Sequence, residues 1–227
     1  MKLTYGELHA LFFARFRQRR MNRFFSRFLP TSETRVLDVG GTAQTWTRES
    51  GSRVEFPVTL LNILDYGPPE SERFTAVTGD ATKLPFAERS FDIVFSNSVI
   101  EHVGTWKEQQ MFASEVRRVG QKLWIQTPAR SFPIEAHLLA PFIQYLPKAF
   151  QHRIVRWTPR GILQPDVVHQ IVDEVRLLTY AEMKQLFPDC VILKERIFCL
   201  TKSYIAVRDI NMTASRANIL PPKNTFD

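Results

Sequence analysis

Two short apolar segments in the first half of the chain end in residues that suit a nucleoside-like ligand. The segment Val36–Val39 runs into Gly40 and Gly41, which permit a tight turn and a close approach of a ligand to the backbone at a helix N-terminus. The segment Val58–Ile63 contains Asn62, about 20 residues after the glycine turn, where a ribose hydroxyl is usually bound. In a simpler interpretation the glycines only turn the chain.

A third apolar segment leads into Gly79–Phe86, which contains Asp80. This carboxylate could accept a hydrogen bond from the exocyclic amine that marks an adenine. The pattern G-x-G-x-x-G is absent, since no glycine lies between Gly41 and Gly51. A dinucleotide-dependent dehydrogenase is therefore disfavoured.

Two histidines are candidates for contact with the reacting groups. His102 directly follows the fourth apolar segment, where it could act as a general base or contact a substrate, or could simply pack at the start of a helix. His137 lies in a segment that we expect to fold over the site. No His, Cys and acidic residues show the spacing of a metal site, so no metal is predicted. Cys190 and Cys199 come late in the chain, which disfavours a cysteine nucleophile.

Apolar runs that alternate with helical patterns predict an α/β fold with a mostly parallel sheet covered on both faces. A helix is expected over 107–119 and another over 179–186, and the last two strands are expected to be antiparallel neighbours. The strands are predicted at Val36–Val39, Val58–Ile63, Phe74–Val77, Phe91–Phe95, Leu123–Gln126, Val191–Phe198 and Ser203–Val207.

The ordered motifs DVGG, LLN, GDATKLPF and SFDIVFSNSVIEHV closely resemble the class I S-adenosylmethionine-dependent methyltransferases, in particular the group called type 11. The resemblance is strong over about 35–128 and weaker to 208. It implies a three-layer Rossmann-like fold with a seven-stranded sheet and an antiparallel last strand. It also implies S-adenosylmethionine as the cofactor. The implied cofactor contacts are Asp38, Gly40 and Gly41 around the methionine portion, Asn62 at the ribose, Asp80 and Ala81 at the adenine, and Asn97 beside the cofactor.

Two departures from the family pattern concern cofactor affinity. Thr42 and Gln44 stand where the family usually has glycines, so the loop is expected to follow a different course. Asn62 replaces the commoner acid and cannot accept from two hydroxyls as a carboxylate does. Both changes could weaken cofactor binding, which leaves a cofactor-binding protein without turnover as an alternative.

Charge and composition separate a leader from the rest of the 227 residues. Residues 1–30 contain seven basic residues, one acid and several phenylalanines, whereas the remainder has 23 basic and 22 acidic residues. We expect a helical leader over 1–30, a methyltransferase domain over 31–208 with a Pro- and aromatic-rich lid at about 131–177, and a polar tail over 209–227. The leader is expected to form two short helices, or one with a bend.

The Phe-rich side of the leader can pack over the cofactor cleft and leave Arg20, Arg23 and Arg27 in water, or it can lie in an anionic membrane interface. Packing is the preferred interpretation.

The apolar lid predicts a small, partly apolar or lipid-like methyl acceptor. An RNA or protein acceptor docked through the basic leader is the alternative, although the core shows no basic groove. The few cysteines and the lack of a long apolar run favour a cytoplasmic location, with peripheral membrane contact as the alternative.

Overall fold

In this computed structural model the described residues are 5–50, 54–67, 69 and 71–209, with only the backbone described for 5–15 and 49–50. Most of the expected tail at 209–227 therefore lies outside the described residues. Among the residues described, no helix is sufficiently long and apolar to cross a bilayer.

The main sheet has seven strands, six of them parallel. In chain order, its strands are β1 (Val36–Val39), β2 (Val58–Asn62), β3 (Phe74–Thr78), β4 (Phe91–Asn97), β5 (Gly120–Pro128), β8 (Val191–Ile197) and β9 (Leu200–Arg208). Their spatial order is β3-β2-β1-β4-β5-β9-β8, and β9 is antiparallel to both of its neighbours. A two-stranded ribbon, β6 (Ile134–Glu135) with β7 (Ala140–Pro141), lies outside this sheet. The predicted fold class, including the antiparallel last strand, is confirmed.

Helices cover both faces of the sheet. They are α1 (Tyr5–Phe28), α2 (Ala43–Ser50), α3 (Trp106–Val119), α4 (Lys148–Ile154), α5 (Pro159–Leu163), α6 (Pro165–Glu174) and α7 (Tyr180–Leu186). A capping box explains where α7 begins. Thr179 Oγ1 accepts from the Glu182 amide at 3.2 Å, and Glu182 Oε2 accepts from the Thr179 amide at 2.7 Å.

The leader is one continuous helix, α1, and not two short helices. Met21, Phe24 and Phe28 are buried in an aromatic cluster with Trp46 and Trp124 on one face of the sheet. The second half of α1 is thus an integral part of the core, with its apolar side on the domain. Burying these side chains removes a large apolar area from water, at about 25 cal/mol per Å².

The segment 131–177 forms a substructure with its own small core. Leu138, Ile143, Val155, Val168 and Val172 pack together there, apart from the two clusters on the sheet faces. Part of the segment is a satellite cluster, and its first residues, from Phe132 to His137, face the site described next.

Candidate active site

The turn after β1 requires glycine at two successive positions. Gly40 has φ +79°, and a Cβ there would lie 2.5 Å from Val99 Cγ2. A Cβ on Gly41 would lie 1.7 Å from Asp38 Oδ2. Both constraints come from close packing beneath the turn, so the glycines do more than reverse the chain.

Asp38 lies beneath this turn and is fully buried. Its Oδ2 accepts a hydrogen bond from Trp46 Nε1 at 2.7 Å. The side chain therefore joins β1 to α2 and supports the glycine turn, and it does not line the cleft described below. Its predicted contact with the methionine portion stays a prediction.

An open cleft of about 500 Å³, which we name the cofactor cleft after its predicted ligand, lies beyond the carboxyl ends of β1 to β4. Asn62 donates from Nδ2 to the Gly41 carbonyl at 2.8 Å, which leaves its amide oxygen to accept from a ligand. Asp80 Oδ1 accepts from the amide and the hydroxyl of Thr82, at 2.7 and 2.8 Å, so the loop holds this exposed carboxylate in place. The predicted cofactor contacts that line this cleft are Gly40, Asn62, Asp80 and Ala81.

These residues fit the nucleoside portion of S-adenosylmethionine. Asn62 offers an acceptor for a hydroxyl, and Asp80 offers one for an amine. Gly41 and Thr42 lie on the far side of Asn62, in a second groove along α2. Thr42 is the single residue between the glycines and α2, which begins at Ala43, so Gln44 lies in a helix and not in a loop.

A second cavity, of about 270 Å³, lies between α1, the ends of β4 and β5, and the first residues of the insertion. Asn97 belongs to this cavity and does not line the cofactor cleft. Its side-chain oxygen accepts from Arg20 Nη1, which also donates to Gln126 Oε1 at 2.9 Å. Ser98, next to Asn97, has φ +59°, a conformation that is uncommon for a non-glycine residue and typical of functional sites.

Arg20 is buried, contrary to the expectation that it would lie in water. It forms a bidentate ion pair with Glu195 on β8, with Nη2 2.7 Å from Oε2 and Nε 3.2 Å from Oε1. Burial opposes the charge of Glu195, and Arg20 more than offsets this, so the pKa of Glu195 lies below its usual value. Arg23 is exposed as expected. The described part of α1 covers this cavity, and none of it lines the cofactor cleft.

Lys202 on β9 adds a further buried cation to the cavity. Burial and the nearby charge of Arg20 lower the pKa of Lys202 to about 8. Arg17 also lines this end of the cavity, near Arg20 and its ion-pair partner Glu195.

Within the described part of the chain, His102 is the residue that lines both the cleft beyond β1 to β4 and the second cavity. Its backbone is fixed by the 3-10 helix Ile100–His102, whose last amide donates to the Val99 carbonyl at 2.8 Å. The surrounding protein partly shields the ring from water, although one edge remains exposed. This desolvation and the charge of His137 lower the pKa of His102 to about 4. An imidazole with this pKa is neutral at pH 7 and is a weak base.

His137 contacts the edge of His102, with the ring centroids 4.7 Å apart. Its Nδ1 is 2.7 Å from Glu135 Oε1, and its Nε2 is 3.9 Å from Glu101 Oε1. Burial disfavours the charged form of His137 and so lowers its pKa. The nearby carboxylates of Glu135 and Glu101 have the larger combined effect, and the pKa of His137 is raised. The pKa of Glu101 is raised by its complete burial, which the neighbouring His137 only partly offsets.

Several residues of this site could not be recognised from the sequence. Arg20, Gln126, Glu195 and Lys202 come from four separate segments and meet only when β8 and β9 pair beside β5. The available signal was the presence of charged residues within the two closing strands, Lys194–Arg196 in β8 and Lys202 in β9. Burial and the neighbouring Asp189 raise the pKa of the Cys190 thiol to about 12, so this thiol is a poor nucleophile at neutral pH.

Comparison with known proteins supports the assignment made from the fold. A family model described as a methyltransferase domain matches residues 48–122, about a third of the chain. A search of curated protein sequences finds no match.

Three solved structures illustrate the similarity in fold. Magnesium protoporphyrin IX methyltransferase from Synechocystis PCC 6803, with bound SAH, is 12% identical with a TM-score of 0.54, covering 92% of this chain and 90% of that one. The 1,6-didemethyltoxoflavin-N1-methyltransferase of Burkholderia thailandensis is 14% identical with a TM-score of 0.50, covering 85% and 77%.

The phosphoethanolamine N-methyltransferase 2 of Haemonchus contortus is 15% identical with a TM-score of 0.51, and the match covers 78% of this chain but only 38% of that larger one. These likenesses are likenesses of fold. Together, the family match over residues 48–122 and the seven-stranded Rossmann-like fold support a class I S-adenosylmethionine-dependent methyltransferase.

Proposed function

We propose that the protein transfers a methyl group from S-adenosylmethionine to a small, partly apolar acceptor that carries an acidic group. The observation that carries this proposal is the position of His102, which lines both the cofactor cleft and the cavity under α1. Two ligands in these spaces would meet at this residue. The smaller cavity is therefore the proposed acceptor site.

The lining of the acceptor cavity supports the stated chemistry of the acceptor. Phe132, Ile134 and Leu177 provide an apolar wall. At the other end, Arg17 and Lys202 line the cavity beside Arg20, and the pKa of Lys202 is lowered by its burial and by repulsion from Arg20. A carboxylate or phosphate group would relieve this repulsion and form charge-assisted hydrogen bonds.

The chemistry available from the cofactor is an activated methyl group on a sulfonium, which a nucleophile takes by in-line displacement. The chain itself needs to align the acceptor and exclude water. We assign the cavity walls to exclusion of water, and His102 and His137 to contact with the acceptor. A base is required only for an acceptor as weakly acidic as a hydroxyl.

A small acceptor is favoured over RNA or protein. Arg20 is committed to Glu195 inside the fold and is not presented on the surface of the leader. The cavity of about 270 Å³ is at the lower end of the sizes of small-molecule sites. Among the described side chains of α1, Arg19 and Arg23 are exposed, and a polyanion could bind through them.

Titration with S-adenosylhomocysteine tests the cofactor site. We expect Asp80→Ala to weaken binding by about 1–3 kcal/mol, because an adenine amine would lose its acceptor. Asp65→Ala is the matched control, since Asp65 is also an exposed loop aspartate that accepts from a nearby amide, that of Gly67, at 2.8 Å. If only Asp65→Ala weakened binding, the cofactor would lie in the groove on the other side of Asn62.

Transfer of labelled methyl groups tests the acceptor class. Labelled S-adenosylmethionine, incubated with the protein and a cell extract, should label a small, acidic, organic-soluble fraction. Arg17→Gln should reduce this labelling without changing the affinity for S-adenosylhomocysteine. Labelling confined to RNA or protein, reduced by an Arg19→Gln/Arg23→Gln double variant, would overturn the proposal.

A further inference from the structure

Three side chains that could ligate a metal ion converge at the inner end of the acceptor cavity. Glu101 and His102 come from the 3-10 helix after β4, and His137 comes from the insertion just after β6. Each offers one ligand atom, and the three atoms lie within 4.8 Å of one another. Spacing along the sequence did not indicate this cluster, because His137 reaches it only through the folding of the insertion.

Glu101 is fully buried, but only one of its carboxylate oxygens has a hydrogen bond. Oε2 accepts from Thr127 Oγ1 at 2.9 Å. Among the described residues Oε1 has no hydrogen-bond partner, and His137 Nε2 lies 3.9 Å from it. A buried acceptor without a donor costs free energy, so this oxygen points to a ligand that the protein does not itself supply.

His137 is oriented as metal-bound histidines usually are. Its Nδ1 is held by Glu135 Oε1, and the other oxygen of Glu135 accepts from the Leu138 amide at 2.6 Å. This arrangement fixes the ring and directs Nε2 toward Glu101 Oε1. A carboxylate bonded to the far nitrogen is the common partner of a metal-ligating imidazole.

The charges in this region also favour a cation. Two buried carboxylates, Glu101 and Glu135, flank His137, with carboxylate oxygens 3.9 Å from its Nε2 and 2.7 Å from its Nδ1. Burying two such groups is costly unless positive charge compensates them, and Lys148 and Arg160 also lie close enough to act on this region.

We propose that Glu101 Oε1, His102 and His137 Nε2 bind one divalent transition-metal ion, with Glu135 as a positioning residue for His137. Two imidazoles and a carboxylate suit Zn²⁺ or a similar ion better than Mg²⁺ or Ca²⁺, which prefer oxygen ligands. Because three protein ligands leave coordination positions open, an oxygen of the acceptor in the adjoining cavity could complete the shell.

The proposal is tested by titrating Zn²⁺ into chelator-treated full-length protein by calorimetry. One ion should bind per chain, and Glu101→Gln and His137→Gln should each weaken binding by about 100-fold or more, whereas Glu135→Gln should weaken it by about 10- to 100-fold. The Glu101→Gln side chain can still accept from Thr127, and circular dichroism verifies its fold.

The matched control is His169→Gln/Cys199→Ser, which removes an exposed histidine and an exposed cysteine far from the cluster and should leave the affinity unchanged.

Cobalt provides a readout that a merely structural role would not change. Co²⁺ bound at the site should show visible ligand-field bands, and Glu135→Gln should shift them because the His137 ring loses its orientation. Absence of stoichiometric Zn²⁺ binding, or binding that Glu101→Gln leaves intact, would overturn the proposal. Zinc and S-adenosylhomocysteine binding are measured separately, so failure here is distinct from failure of the proposed methyl transfer.

Discussion

The cofactor cleft and the acceptor cavity meet at His102, but they are built in different ways. The cleft is formed by loops at the ends of neighbouring parallel strands, and its shape depends on backbone turns such as that at Gly40. The cavity is formed by side chains that come from α1, the insertion and β9, and charge dominates one end of it. Local backbone geometry therefore determines the first site, and long-range pairing of charges determines the second.

The largest expected effect concerns the ion pair at the acceptor cavity. Glu195→Gln removes the carboxylate that Arg20 and Lys202 share, and should lower the free energy of unfolding by about 3–5 kcal/mol, because two buried cations lose their compensation. Urea unfolding measures this. Arg20→Met should cost less, since Lys202 still compensates Glu195.

An exposed ion pair gives the control for this comparison. Arg35 Nε lies 3.7 Å from Asp92 Oδ2 at the surface, and Arg35→Met should change the stability by less than about 0.5 kcal/mol. Equal effects of Glu195→Gln and Arg35→Met would show that the buried pair does not hold α1 to β8.

Gly40→Ala tests the backbone on which the cofactor cleft depends. The left-handed φ alone should cost about 1–2 kcal/mol, and the contact with Val99 should add about 1–3 kcal/mol of overpacking. Gly67→Ala isolates the first contribution, because Gly67 has φ +76° but nothing within 4 Å of its Cβ position.

Only Gly40→Ala should weaken binding of S-adenosylhomocysteine, by about tenfold or more, which is about 1.4 kcal/mol. Similar affinities in the two variants would place the cofactor away from the glycine turn.

The pH dependence of stability tests the cationic end of the cavity. The folded pKa of Lys202, about 8, lies below its ordinary value of 10.5, so the unfolded chain binds more protons between these values. The stability contributed by this group therefore rises as the pH increases from about 8 to about 10. Below pH 8, charged Lys202 is repelled by Arg20 and Arg17 and only partly compensated by Glu195.

Lys202→Met should thus be more stable than wild type at pH 7. This advantage should shrink by up to about 3 kcal/mol toward pH 10, as judged by urea unfolding across the pH series. A constant difference between the two proteins over that range would mean that Lys202 titrates normally.

The same contrast explains what the sequence could predict. The strands β1 to β5, the helices α3 and α7, and the antiparallel last pair were predicted to within a few residues, because apolar periodicity and turn residues are local signals. Gly40, Asn62 and Asp80 line one cleft, as predicted for loops at strand ends, and their contact with the cofactor stays a prediction. The burial of Arg20 was missed, since a helical pattern gives no sign that a carboxylate on β8 will meet it.

The smallest expected effect decides to which site Asn97 belongs. The sequence motif assigned it to the cofactor, whereas its side chain lies in the acceptor cavity and accepts from Arg20. Asn97→Ala should therefore change the affinity for S-adenosylhomocysteine by less than about twofold, or about 0.4 kcal/mol. Because Gln126 Oε1 and Glu195 still accept from Arg20, the stability should fall only by about 1 kcal/mol. Calorimetric titration and urea unfolding measure both quantities. A loss of cofactor affinity as large as that of Asp80→Ala would join the two spaces at Asn97 and remove the distinction between cleft and cavity.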